Sequence, residues 1–306
     1  MSVVIVGSVA FDALETPFGK TDKIVGGAAV YAGLSASYFS RTVKLIGVVG
    51  DDFPQADLDN FRKHGIDTEG IQIKAGEKSF FWSGKYHNDM NTRDTLVTEL
   101  NVLADFDPIV PESYQDGEYV LLGNLTPQVQ QTVLDRMHNK PKLVVLDTMN
   151  FWMDVALDDL KSVLKNVDVL TINDAEARQL SGEFSLRKAA HLILDMGPKY
   201  LIIKKGEHGA LLFHQDRVFS APALPIAEVF DPTGAGDTFA GGFIGYIAKQ
   251  DDISFETMQN AVIFGSAMAS FCVEKFGTER LQNLKQEEIR ARVDEFVRLS
   301  SFSIRF

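Results

Sequence analysis

The chain has 306 residues, 45% of them hydrophobic and 24% charged, an ordinary globular composition that suits one large α/β domain or two smaller ones. A formal net charge of -12 opposes nonspecific attraction to nucleic acid or an anionic membrane, and a single cysteine, Cys272, excludes an internal disulfide. No apolar segment approaches the roughly 20 residues of a membrane span, and the N-terminus has neither a basic region nor a small-residue cleavage site, so a cytoplasmic protein is expected.

Residues 3–9 form an apolar run ending near Gly7-Ser8, which predicts a strand buried on both faces of a parallel sheet. Asp12 lies just beyond its end, where ligands of open α/β sheets bind, although a loop Asp also serves as a turn former. Gly26-Gly27 precedes a small-residue helix over 28–39; the pair either lets backbone approach a ligand or makes a simple loop-to-helix junction. Residues 43–50 predict a second strand ending in Gly50-Asp51-Asp52, and 54–64 a helix closed by Gly65. Polar and aromatic residues alternate over 71–106, with Phe80, Trp82 and Tyr86, which predicts antiparallel strands; aromatics on such a sheet also serve to cover a core or a dimer contact.

From residue 119 onward apolar runs alternate with helical patterns: 119–123 with 127–138, 143–147 with 155–164, and 167–172 with 175–180. Repeated βα units of this length imply a parallel sheet covered by helices on both faces. Asn173 with Glu176 three residues later is a capping box. A helix over 185–196 and paired strands over 200–205 and 209–214 follow; alternation turns one of Lys204 and Lys205 inward without saying which.

The stretch 231–242 reads Asp-Pro-Thr-Gly-Ala-Gly-Asp-Thr-Phe-Ala-Gly-Gly. Two glycines around one small residue let the backbone turn tightly and present consecutive N–H groups to an anion. Phe239, Phe243, Tyr246 and Ile247 recur at helical spacing, so the turn sits on a helix N-terminus with its positive dipole end toward that anion. Asp237 falls in the first helical turn, where it either complements the dipole or, beside a phosphate-bearing substrate, accepts a hydroxyl proton. A second long helix of small and apolar residues spans 254–276, includes Cys272, and is core; 286–299 is an amphipathic surface helix.

The string 231–242 resembles the C-terminal signature of the ribokinase-like (phosphofructokinase-B type, PfkB) carbohydrate kinases. Gly26-Gly27, Gly50-Asp51-Asp52 and the Asn173-x-x-Glu176 motif extend the resemblance over nearly the whole chain. It implies one domain over 1–306 of the α/β class: a ribokinase-like three-layer α/β/α fold with a mostly parallel central sheet and a small β-sheet lid from residues about 11–26 and 71–105, with Arg93, Thr98 and Asn101 in the return strand. It implies that Asp237 is the catalytic base and that the N–H groups of Gly234, Ala235 and Gly236 stabilise developing negative charge. Asp12, Gly26, Gly27, Tyr31, Asn101 and Asn124 would bind the acceptor, with Tyr31 standing where the family usually has Asn. Asn173, Lys204, Gly206, Thr233, Ser266, Ala267 and Gly277 would bind ATP. Glu176 would reach Mg²⁺ through water, Asp231 and Thr233 would hold K⁺, and the lid would pair two copies in a homodimer.

The reaction so implied moves the γ-phosphate of ATP to the hydroxymethyl group of a sugar or of a nucleoside. Such transfer requires alignment and charge stabilisation, which an anion cradle, a metal and one carboxylate provide. A noncatalytic sugar or nucleotide sensor would keep the fold without needing Asp237. A nicotinamide oxidoreductase shares the βα alternation, but neither a dinucleotide fingerprint nor a P-loop is present.

Overall fold

The computed structural model describes residues 1–304. It opens with β1 (Ser2–Val6), in which Val3, Val4, Ile5 and Val6 are fully buried; β-branched residues on both faces suit a covered parallel strand. The chain leaves for a second sheet through β2 (Ala10–Thr16), β3 (Gly19–Lys20) and β4 (Ile24–Gly26). It returns by helix α1 (Ala28–Ser37) to β5 (Thr42–Gly50) and by α2 (Gln55–Lys63) to β6 (Ile66–Lys74). Then β7 (Phe80–Tyr86) and β8 (Arg93–Glu99) complete the small sheet.

Strands and helices next alternate as β9 (Tyr119–Leu122), α3 (Pro127–Asp135), β10 (Leu143–Asp147), α4 (Asn150–Val155), α5 (Leu157–Leu164), β11 (Val169–Asn173), α6 (Asp174–Ser181), α7 (Leu186–Leu194) and β12 (Tyr200–Lys204). A hairpin of β13 (Ala210–His214) and β14 (Arg217–Ala221) follows. After it come α8 (Ala235–Gln250), α9 (Phe255–Cys272), α10 (Glu279–Gln282) and α11 (Gln286–Ser300).

The large sheet has the order β14-β13-β12-β11-β10-β9-β1-β5-β6, parallel except at β13, which pairs antiparallel with both β12 and β14. The chain runs from β1 one way to β5 and β6, and later the other way from β9 to β12. The reversal beside β1 opens a crevice at the carboxyl ends of the strands, the usual place for a ligand in such sheets. One hydrophobic cluster, with Leu34, Phe243 and Phe271, fills one side of the sheet; another, with Val133, Leu160 and Ile193, fills the other. These are the three layers expected. Ser35 Oγ donates to the Thr238 carbonyl at 2.7 Å, fixing α1 against the start of α8.

Three expectations change in detail. The first strand ends at Val6, and Asp12 lies inside β2 rather than beyond a strand end. Residues 71–74 belong to β6, because the ladder with β5 continues from Gly47↔Ile71 to Gly50↔Lys74; the small sheet therefore draws on 10–26 and 80–99. Its β7 pairs parallel to β2 and only β8 runs back antiparallel. Alternating polar and aromatic residues specify a strand but not its sheet or direction. Among the described residues no helix is long and apolar enough to cross a membrane.

Candidate active site

The N-terminus of α8 forms one wall of the crevice. Gly234 takes φ 73°, and a Cβ there would lie 2.3 Å from the Tyr31 ring, so both conformation and contact require glycine. Thr238 N–H donates to the Gly234 carbonyl at 2.8 Å, while Ala235 N–H donates to the Pro232 carbonyl at 3.2 Å. That second bond corrects the expectation of three free donors, because the turn itself consumes one of them. Gly236 and Asp237 occupy the next first-turn positions, whose N–H groups have no intrahelical acceptor.

Asp237 retains some accessible surface in this dense wall. Burial and the nearby Asp147 carboxylate raise its carboxyl above the usual range, against the pull of Lys204 and Arg93. Asp147 ends β10, Asn173 ends β11 and Lys204 ends β12, so the parallel register delivers all three to the same edge. Lys204 Nζ lies 2.8 Å from Asp147 Oδ1, and a methyl on Gly236 would lie 3.1 Å from that ammonium. Burial works against the Lys204 charge, but Asp147, Glu176 and Asp237 outweigh it and raise its pKa. Lys204, not Lys205, is therefore the lysine that enters the cluster.

Asn173 and Glu176 form the expected reciprocal cap: Glu176 N–H donates to Asn173 Oδ1 at 2.8 Å and Asn173 N–H to Glu176 Oε2 at 2.7 Å. Burial, with Asp147 adding to it, pushes the Glu176 carboxyl up to about 7 against the pull of Lys204.

The small sheet supplies the facing wall. Burial first, then the charges of Asp231 and Asp237, push the buried Asp12 carboxyl up to about 7, with the Gly27 N–H opposing. A Cβ on Gly26 would lie 1.9 Å from Asp12 Oδ2, and Gly27, at φ 97°, caps α1 with no room for a side chain beside the Ser8 carbonyl. Tyr31 is 1% exposed, and its hydroxyl has no hydrogen-bond partner among the described residues. Asp12 is the cross-strand neighbour of Trp82, so both project from one face of the sheet. The Arg93 guanidinium stands 5.5 Å from the Trp82 ring centroid.

Asp231 is buried and accepts the N–H groups of Thr233 at 2.9 Å and of Gly277 at 2.8 Å. Burial raises its carboxyl while those bonds oppose the rise. The Thr233 hydroxyl lies 3.2 Å from that of Tyr86. Gly206 sits at the loop after β12, where its Cβ position would be 3.0 Å from Asn91 Oδ1 of the β7–β8 turn.

Other expected residues are engaged by neighbours within the fold or face inward. Asn101 is not in the return strand but in a 3₁₀ turn after it, and its amide donates to the Ser79 carbonyl at 2.9 Å, a contact within the base of the small sheet. Asn124, after β9, accepts the Trp152 indole N–H at 2.9 Å and donates to Met149 Sδ. Ala267 has no accessible surface, so it backs any pocket rather than lining it; Ser266 beside it is half-buried. Asp147 joins the cluster without having been singled out in the sequence, and Arg93, expected in the return strand and found at the start of β8, joins it without having been given a role. Asp147 did carry a signal, since it closes an apolar strand at the carboxyl edge just as Asn173 and Lys204 do.

The sequence matches the model of the pfkB family carbohydrate kinases over residues 2–284. It is 33% identical over 251 residues to a cytidine kinase of Thermococcus kodakarensis, covering 80% of this chain and 87% of that one. Two solved structures share the fold. The nucleoside kinase of Methanocaldococcus jannaschii is 19% identical with a TM-score of 0.77, covering 96% of this chain and 98% of its own. The aminoimidazole riboside kinase of Salmonella enterica, complexed with aminoimidazole riboside and an ATP analogue, is 20% identical with a TM-score of 0.77, covering 96% and 100%.

Proposed function

Since this chain belongs to the pfkB family of carbohydrate kinases, we propose that its acceptor is the ribose of a nucleoside, with the base laid against Trp82. The enzyme transfers a phosphoryl group from ATP to an alcohol group of a sugar-like acceptor. The observation that carries the nucleoside reading is the pairing of Asp12 with Trp82 on one face. A carboxylate beside a partly exposed indole fits a sugar hydroxyl and an attached planar base together, and stacking adds binding that a free sugar does not obtain. The cytidine kinase relative supports the same class.

In this reading the small sheet is the lid of a single kinase domain. Asp12 and the Gly26-Gly27 turn orient the ribose, and Asp237, whose raised carboxyl suits proton acceptance near neutral pH, takes the proton of the attacking hydroxyl. The Gly236 and Asp237 N–H groups and Arg93 face charge developing on the transferred group. Lys204 holds the nucleotide phosphates beside Gly206, and Gly277 with Ser266 borders the nucleotide.

The residues present fit Mg²⁺·ATP, because Gly236 leaves open backbone beside Lys204 and the carboxylates of Asp147 and Glu176 lie at the same edge. Glu176, steadied by Asn173, and Asp147 would hold the metal through water. When bound, the metal neutralises phosphate charge. Asp231 and Thr233 are the proposed K⁺ pair, although both Asp231 oxygens already accept backbone N–H groups. A homodimer through the lid is proposed from the exposed Leu96 and Val97 of β8.

ADP release measured against cytidine, inosine, ribose and fructose tests the acceptor. A nucleoside should give the highest kcat/KM, and Trp82→Ala should raise its KM while leaving the ATP KM within about twofold. A free sugar turned over better than every nucleoside would overturn this reading.

A further inference from the structure

Among the contacts that the small sheet makes with the loops of the large one, three lie at its outer end and near the crevice. Phe18 packs its ring 5.1 Å from that of Phe230. Asn91, in the β7–β8 turn, abuts Gly206. Tyr86, the last residue of β7, brings its hydroxyl to 3.2 Å from Thr233 Oγ1. The third contact differs from the others because Tyr86 is buried and Thr233 directly precedes the cradle glycine Gly234, with its own N–H fixed to Asp231.

Tyr86 is also the cross-strand partner of Arg93. All seven residues of β8 are exposed, so Arg93 is not buried, and its guanidinium rests against the Trp82 ring at 5.5 Å from the centroid. Its position follows from the register with β7 and from the seat of Tyr86. Arg93 nevertheless borders the crevice, because its cross-strand neighbour Tyr86 touches Thr233 beside the cradle, and its charge favours the ionised forms of Asp237 and Glu176.

We propose that the hydrogen bond between Tyr86 and Thr233 is a latch that positions Arg93 over the anion cradle. Tyr86 is then a positioning residue, acting on the phosphate site through Arg93 rather than touching a substrate itself. The inference rests on the kinase reaction and not on the identity of the acceptor.

The test uses the full-length protein and needs no acceptor. In the ligand-free enzyme, hydrogen exchange over residues 87–93 should quicken roughly 2- to 12-fold in Tyr86→Phe and in Thr233→Val, the range of one lost hydrogen bond. The double variant should go no further than either single one, and Thr233→Ser, which keeps the hydroxyl, should behave as wild type. Calorimetric titration of Mg²⁺·ATP supplies the second readout. Arg93→Gln should weaken binding about tenfold in the wild-type background and less than about twofold in Tyr86→Phe, because an unlatched arginine no longer meets the phosphate. Unchanged exchange, additive single variants, or an Arg93→Gln effect that persists in Tyr86→Phe would each overturn the latch. Should Tyr86→Phe lose its thermal transition, the Thr233→Val and Thr233→Ser pair decides the matter by hydrogen exchange in the ligand-free enzyme alone, because Thr233 itself belongs to the proposed nucleotide and K⁺ site.

Discussion

Lys204 Nζ lies 2.8 Å from Asp147 Oδ1, so the ammonium ending β12 is held by the carboxylate ending β10, with β11 and its Asn173–Glu176 cap between them. The pair places one positive charge among the carboxylates of Asp147, Glu176 and Asp237 at the foot of α8. Removing the ammonium takes away a phosphate donor and leaves three acidic groups without their shared partner.

Lys204→Gln is therefore expected to weaken Mg²⁺·ATP binding by about 10- to 150-fold, the equivalent of one charge-assisted hydrogen bond of about 1.5 to 3 kcal/mol. Titration calorimetry measures it directly. Lys205→Gln is the control, and equal losses in the two variants would mean that the choice between the lysines is wrong.

Asp237→Asn should reduce turnover by about 10² to 10⁴, the usual contribution of a positioned general base, with acceptor and ATP affinities nearly unchanged. Since phosphoryl transfer has a loose transition state, the lower end is compatible with the role. A drop of less than tenfold in kcat would leave Asp237 as a dipole partner only.

Asp12 carries both a functional and a stability prediction. Asp12→Ala should raise the acceptor KM roughly 10- to 150-fold and the ATP KM far less. Its carboxyl stands at about 7 in the fold against 3.8 when unperturbed, so the fold favours the neutral form. That contribution is fully present below about pH 4 and is lost as pH rises through 7, a change of about 4 kcal/mol. Asp12→Asn, which cannot ionise, should melt several degrees above wild type at pH 8, with the difference shrinking toward pH 4. A melting difference that stays constant over this range would refute the assignment.

Tyr31 buries a hydroxyl that finds no partner in the described chain. An unsatisfied buried hydroxyl costs about 1 to 3 kcal/mol, so Tyr31→Phe should be as stable as wild type or more so. If the hydroxyl serves the acceptor, the same variant should raise the acceptor KM, read by steady-state assay. A clear loss of thermal stability would show instead that the hydroxyl is satisfied by water within the fold.

The anion cradle was legible from local chemistry: Gly234, Gly236 and Asp237 stand within four residues, and a helical stripe of Phe239, Phe243 and Ile247 follows them. The same holds for the Asn173–Glu176 cap, whose two bonds close over three residues. Strand and helix alternation likewise announced the parallel sheet, because period and turn residues are properties of a short window. Even here the sequence did not show that the Ala235 donor is already engaged, since its bond to the Pro232 carbonyl depends on the turn's actual shape.

What the tertiary structure alone decided is which distant residues share the crevice. Alternation says that neighbouring side chains oppose one another, but the absolute face of Lys204 or Trp82 is set by register against strands far away in sequence. Asp147 joins Lys204 across 57 residues, and Tyr86 joins Thr233 across 147. Such pairs follow from how the sheet closes, and the burial that raises Asp12 and Glu176 exists only once both walls are in place. The sequence determined the local devices; the fold determined their company, because Coulomb forces and desolvation act through space rather than along the chain.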